Sequence, residues 1–248
     1  MKTILLAVLA VCAAAAQSLT EPPPLLRLHR RPGAASARPY ADARSPVNVV
    51  GMAAIAGPSE TWLIELQDSF ASIEDVDKSI HLLVPSGAVE DPGQPSGDIL
   101  AGSGSLIALY RPGFSYLPEQ AIQILRKARY CQISIYQVHP GSEPEFAELV
   151  KSRRIMFNSI NLDRPDLAYS VLLGTRSGTY LFLAPLASLK VLDEGLAKAT
   201  AYAKNPEAEA VKTGGLTREH LLFRVEPAAS WVSDDFASTD PEFWRDKR

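Results

Sequence analysis

The side chains best equipped for chemistry fall on one side of one segment. From Tyr130 to His139 the residues alternate, with Tyr130, Gln132, Ser134 and Tyr136 on one face and Cys131, Ile133 and Ile135 on the other. A row of phenol, amide and hydroxyl groups is costly to bury in a purely structural core. It suits a cavity with a few polar anchors, which predicts ligand-binding residues here. The plainer alternative is a wet sheet face with satisfied hydroxyls. His220 and Arg224 share a face of a later strand, and Arg27 and His29 lie in an early one. A histidine and an arginine beside a cavity can hold an anion or move a proton. At the ends of strands they can equally be surface residues.

Other chemistries lack their signatures. His81 and His139 have no second ligand at metal spacing, and no H-E-x-x-H or C-x-x-C occurs, so no metal site is expected. There is no G-x-S-x-G elbow and no dinucleotide fingerprint. Gly102-Ser103-Gly104 is not followed by Gly-Lys-Ser/Thr, so it is not a phosphate loop. No cofactor is expected, and whether the chain catalyses anything is left open.

Composition narrows the class further. The 248 residues are 46% hydrophobic, which is enough to build a core, and 25 Lys+Arg against 28 Asp+Glu leave no basic excess for nucleic acid. The long apolar run is N-terminal: Lys2 precedes an apolar stretch to Ala13, and Ala14-Ala15-Ala16 offers small residues for cleavage before Gln17. That pattern predicts a signal peptide over 1–16, export to the periplasm or the extracellular space, and no membrane span after cleavage. Leu9-Ala10-Val11-Cys12 is a weaker, lipobox-like alternative. Cleavage leaves Cys131 as the single cysteine, expected to be an inert core thiol.

Several elements must position these groups. Strands are predicted over Leu25–Arg31, Val47–Ala56, Thr61–Gln67, Leu106–Arg111, Tyr130–His139, Leu167–Thr175, Thr179–Ala184 and Leu221–Val225. Apolar stripes predict helices through Ile73, Val76, Ile80 and Leu83, after the capping box Ser142-x-x-Glu145, and through Leu186, Leu189, Leu192, Leu196 and Ala199. A short or broken helix is expected over Ala34–Arg44. Thr61-Trp62-Leu63-Ile64 with Ala71-Ser72-Ile73 resembles Thr179-Tyr180-Leu181-Phe182 with Ala187-Ser188-Leu189. The chain thus reads as a diverged repeat: a degenerate half over 24–113, a linker over 114–127, a second half over 128–230 and an acidic tail over 231–248. Each half has the order β-α-β-β-α-β, the ferredoxin-like split motif. Trp231, Phe236, Phe243 and Trp244 are expected to pack the tail back onto the body.

The run Val138-His139-Pro140-Gly141-Ser142-Glu143-Pro144-Glu145-Phe146, with Gly178-Thr179-Tyr180-Leu181 and Ser188-Leu189, resembles the dimeric α+β barrel superfamily. Within it, the chain is most similar to NIPSNAP-like exported bacterial proteins of unassigned function. The resemblance covers about 24–230 and implies an α+β fold in which tandem ferredoxin-like units pair into one barrel, as a pseudo-dimeric monomer or a homodimer. In such a barrel the apolar set of the Tyr130 strand is expected under the helices, and Tyr130, Gln132, Ser134, Tyr136, His220 and Arg224 in the lumen. The superfamily includes cofactor-free monooxygenases and haem enzymes. The helical haem-ligating histidines have no counterpart in the second half, which argues against haem. Trp62 and Tyr180, at matching repeat positions, are either lumen aromatics of an oxygenase or core. Three readings follow: a small-molecule binding or accessory protein, a cofactor-free oxygenase-type enzyme, or a structural protein with a filled barrel.

Overall fold

The computed structural model describes residues 19–33, 47–81, 99–100, 104–203 and 216–245. The signal segment over 1–16 and the helix expected over 34–44 lie outside these residues. In chain order the elements are β1 (Leu25–Pro32), β2 (Asn48–Ala56), β3 (Glu60–Gln67), α1 (Phe70–His81), β4 (Ser105–Tyr110), α2 (Pro118–Leu125), β5 (Tyr130–Val138), α3 (Glu143–Ser159), β6 (Leu167–Leu173), β7 (Thr179–Leu186), α4 (Lys190–Ala203), β8 (Leu216–Val225), α5 (Asp234–Ala237) and α6 (Pro241–Arg245).

The strands close into one antiparallel barrel in the order β1-β3-β2-β8-β5-β7-β6-β4. Each half contributes its strands in the same spatial order: fourth, first, third, second. The seams are β2 against β8 and β4 against β6. The fold is therefore the expected α+β barrel, built by two ferredoxin-like sheets of a single chain. Among the described residues no helix is long and apolar enough to cross a membrane.

The barrel interior is apolar and packed. One core cluster draws Leu26 and Leu28 from β1, Met52 from β2, Trp62 and Ile64 from β3, Leu106 from β4, Ile133 and Ile135 from β5, Tyr169 from β6, Leu181 and Leu183 from β7, and Phe223 from β8. Trp62 and Phe223 meet ring to ring across it, with centroids 4.6 Å apart. The space left at the centre is a cavity of about 20 Å³ lined by residues such as Leu26, Met52, Leu66, Cys131 and Leu183. That is room for about one water, and its walls offer water almost nothing to bond. Branched side chains filling the inside is the normal solution for eight strands.

This reverses the expected facing of β5. Cys131, Ile133 and Ile135 point into the barrel, and Tyr136 packs outside on Phe146 of α3. The reason is geometric. A closed barrel of this size buries its inner face on every side, whereas the outer face is only partly roofed by helices. The more apolar of two alternating sets therefore goes inward. The same logic separates Trp62 from Tyr180: the first is in the lumen cluster and the second lies outside against Phe146, so they are not equivalent in space.

One end of the barrel is plugged. Ala121, Ile122 and Leu125 of α2 join the core together with Phe236 and Trp244 of α5 and α6. The stretch expected as a linker thus carries a helix, announced by Pro118 in its first turn. Arg129 clamps the tail: its guanidinium lies 3.8 Å from the Phe243 ring centre and 2.5 Å from Asp240. Trp244 donates to the Arg126 carbonyl at 2.8 Å. Val49 and Trp231 exchange backbone hydrogen bonds, so the tail aromatics do return to the body. Gly51 of β2 makes this docking feasible, because a Cβ there would run into the carbonyl of Ala229. Near the opposite end Arg30 bonds Glu60 at 2.6 Å and the Leu100 carbonyl at 2.6 Å, and stacks 5.6 Å from the Trp62 ring centre.

Candidate functional site

With the lumen filled by apolar side chains, the site residues predicted from the sequence lie on the outer face of the second sheet. On the second sheet, the register of β5 against β8 puts Tyr130 opposite Arg224, Gln132 opposite Leu222, Ser134 opposite His220 and Tyr136 opposite Arg218. Paired residues share a face. Ser134, Tyr136 and His220 come together, and Tyr130, Gln132 and Arg224 continue the row toward the plugged end. Arg224 is spent on Glu226 at 2.7 Å and is largely exposed.

Ser134 Oγ lies 2.8 Å from Nδ1 of His220. The His220 ring stands perpendicular to that of Tyr136, with centroids 6.4 Å apart. Tyr136 is in turn packed edge-on against Phe182 at 5.2 Å and tilted on Phe146 at 5.6 Å. Phe146 is there because Ser142-Glu143-Pro144-Glu145 starts α3 and sets its apolar stripe, with Val150 and Phe157, against the sheet.

Three arginines surround this group. Arg153 of α3 bonds both oxygens of Asp166, at 3.0 and 2.8 Å, and its guanidinium sits 4.5 Å from the Phe182 ring centre. Arg164 lies 5.6 Å over the Phe157 ring. Burial lowers the pKa of Arg164; the Asp166 charge opposes this and the neighbouring Arg153 charge adds to it. Arg218 is exposed beside His220 on β8. His220 is held below its ordinary value, first by partial burial and then by the fields of Arg218, Arg164 and Arg153. All three of these charges are positive. Asp166, almost fully buried, is raised by desolvation despite its arginine partner. Asp166 is bonded to Arg153 and also attracts Arg164, so three guanidiniums with one carboxylate between them stand around an imidazole, a hydroxyl and an aromatic wall. That arrangement can accept an anion.

Arg153, Arg164, Asp166 and Arg218 were not signalled by the sequence pattern. The clue available was the charged triplet Arg164-Pro165-Asp166 directly before β6. Arg153 shows no signal, because an arginine on a helix ordinarily points to solvent.

The first sheet carries a different polar group on its outer face. Glu65 of β3 is fully buried and accepts from Arg27 Nε at 2.6 Å, Arg27 Nη2 at 3.0 Å and Gln67 Nε2 at 2.8 Å. Arg27 also reaches Asp77 of α1 at 2.5 Å. His29 Nε2 lies 3.1 Å from Glu65, and its Nδ1 lies 2.7 Å from Ser105 Oγ. Glu65 is held down at about 2: burial opposes ionisation, but the hydrogen bonds and charges of His29 and Arg27 outweigh it.

Among the described residues no group of His, Cys, Asp and Glu could hold a metal ion. Cys131 is buried in the lumen and burial pushes its thiol up to about 12, so it is inert as expected.

No protein-family model matches the chain, and no curated protein is similar to it in sequence. Solved structures align with it over most of their length. A "Putative monooxygenase" from Fusobacterium nucleatum aligns over 81% of this chain and 91% of its own, at 9% identity and a TM-score of 0.48. A "Putative Chlorite dismutase" aligns over 87% and 97%, at 14% identity and a TM-score of 0.44. An anthrone oxidase-like protein aligns over 85% and 94%, at 9% identity and a TM-score of 0.43. At this distance the likeness concerns chain path, and none of the activities in those names comes with it.

Proposed function

We propose that the chain is an exported binding or accessory protein, NIPSNAP-like within the α+β barrel superfamily. In this reading its barrel is a scaffold and its ligand is a small anion held on the outer face of the second half. The carrying observation is the charge count around His220: Arg153, Arg164 and Arg218 converge there, and Asp166 is the one carboxylate bonded to any of them among the described residues. A carboxylate or phosphate would take hydrogen bonds from Arg164 and Ser134 and lie against Tyr136. Export rests on the cleavage pattern before Gln17.

A lumen oxygenase is the less favoured reading. It needs space for an organic substrate and dioxygen, and the central cavity has about 20 Å³. The filled-barrel reading applies to the interior and is compatible with an outer-face ligand.

The test is calorimetric titration of the mature protein with inorganic phosphate and with benzoate. We expect saturable binding of at least one, weakened about 10-fold or more by Arg164→Gln, the loss of one charge-assisted hydrogen bond. Arg224→Gln, at the far end of the row, should leave it unchanged. No binding of either anion, or equal weakening by both substitutions, would remove this reading.

A further inference from the structure

The group on the first sheet contains a relay that anion binding does not use. Ser105 is exposed at the start of β4, and its hydroxyl meets Nδ1 of His29 at 2.7 Å. The far nitrogen of the same ring meets Glu65 at 3.1 Å. Nucleophile, base and orienting carboxylate are thus linked in series, which is how acyl-transfer sites are recognised irrespective of fold or chain order. The ring nitrogens exchange places relative to the usual hydrolase arrangement, but the proton still passes from hydroxyl to imidazole, and the buried carboxylate holds the ring and offsets the imidazolium charge.

Each part is held. The β1–β4 register places His29 opposite Ser105, so the contact is set by the ladder and not by a flexible loop. Glu65 is immobilised by Arg27 and Gln67 and stays ionised down to about 2, so it can fix the ring orientation throughout the neutral range. The approach is open, because Ser105 is exposed to solvent.

We propose that Ser105 is a nucleophile activated by His29, with Glu65 as its positioning residue, and that the site transfers acyl groups from small esters to water. Ser105 Oγ bonds to the ester carbonyl carbon while its proton passes to His29 Nδ1. The carbon–oxygen bond to the alcohol then breaks, and the alcohol leaves with that proton. Water, deprotonated by His29, attacks the acyl-serine, and the returned proton restores Ser105. No oxidant or reductant is required. The site is separate from the anion site, so the two can fail independently.

The experiment is hydrolysis of p-nitrophenyl acetate by the full mature chain, followed by mass spectrometry of the acid-quenched protein. We expect a burst of nitrophenol and one acetyl group on the peptide containing Ser105. Ser105→Ala should abolish both. His29→Gln should slow acylation by about 100-fold or more, the usual weight of a general base. Ser105→Cys should restore a labelled adduct at a rate that falls when His29→Gln is added, a dependence that an unassisted surface thiol would not show. Glu65→Gln should shift the pH dependence of acylation and not only its amplitude. If Glu65→Gln fails to fold, Ser105→Ala and Ser105→Cys still decide the matter, since an exposed hydroxyl carries little stability. Acetylation of another residue, the same burst in Ser105→Ala, or no burst above buffer would overturn the proposal.

Discussion

Both halves of the barrel place a serine opposite a histidine between their first and fourth strands, on the outer face, with the hydroxyl 2.7–2.8 Å from Nδ1. The residue types are exchanged: His29 and Ser105 in the first half, Ser134 and His220 in the second. What differs is the company. In the first half the imidazole leans on a buried carboxylate that is itself saturated by Arg27 and Gln67. In the second it stands among arginines and beside aromatic rings, held below its ordinary value. The same cross-strand pair thus serves opposite electrostatics. A carboxylate behind histidine favours taking a proton from serine, and surrounding guanidiniums favour receiving an anion from outside.

That contrast can be broken by substitution, and the largest effect should come from the first half. Arg27→Met leaves Glu65 buried with one cation fewer, and we expect a loss of about 3–5 kcal/mol in urea unfolding. Arg164→Met should change stability by about 0.5 kcal/mol or less, because the Asp166 attraction and the Arg153 repulsion that it removes oppose each other, which leaves mainly the lost stacking on Phe157. Equal losses would mean that the two clusters are structural alike.

Acid should act on the two halves in different windows. Glu65 is lowered from 4.5 to about 2, so its stabilisation is complete above pH 4.5 and is lost as pH falls toward 2. The amount is on the order of 3 kcal/mol. Urea midpoints at about pH 5 and about pH 3 should diverge in the wild type and much less in Glu65→Gln. His220 is also lowered, so its contribution to stability is present above 6.5 and declines as pH falls below it. Protonation there adds a positive charge, so phosphate affinity should rise on acidification through that range. A gain of about 2–5-fold in calorimetric titration, absent in His220→Gln, is the expected reading. Ser134→Ala, which removes one exposed hydrogen bond, is expected to cost about 0.5 kcal/mol or less of stability in urea unfolding.

Much of the architecture was legible in the residues. Alternation placed β5, β6 and β7 within two residues of their ends, and Pro140-Gly141 and Gly178 marked real turns with positive φ at both glycines. Two elements were misread for physical reasons. β8 begins at Leu216, well before Leu221, because Thr217-Arg218-Glu219-His220 looks like a loop when the strand's wet outer face is unknown. Leu186 ends β7 and is buried, and Leu196 is exposed, so the leucine spacing that suggests one helical stripe belongs to two elements. The site was half legible. Ser134, Tyr136 and His220 do converge, but alternation separates two faces without saying which is inside. Arg153, Arg164 and Asp166 come from α3 and the turn after it, and local pattern does not encode their meeting with β8.

The two seams have a consequence for how the chain reaches this state. Within each half the longest-range pairing joins Tyr130 to Arg224, whereas β2 with β8 joins Met52 to Val225. Closing so long a stretch costs entropy before any contact repays it. Until the seams form, each half-sheet is an open ribbon with two bare edges and an oily underside. The barrel should therefore assemble as two sheets that dock late, with the seam as the rate-limiting event. The Val49–Trp231 bridge and the clamp of Arg129 on the tail then act as a latch that slows reopening.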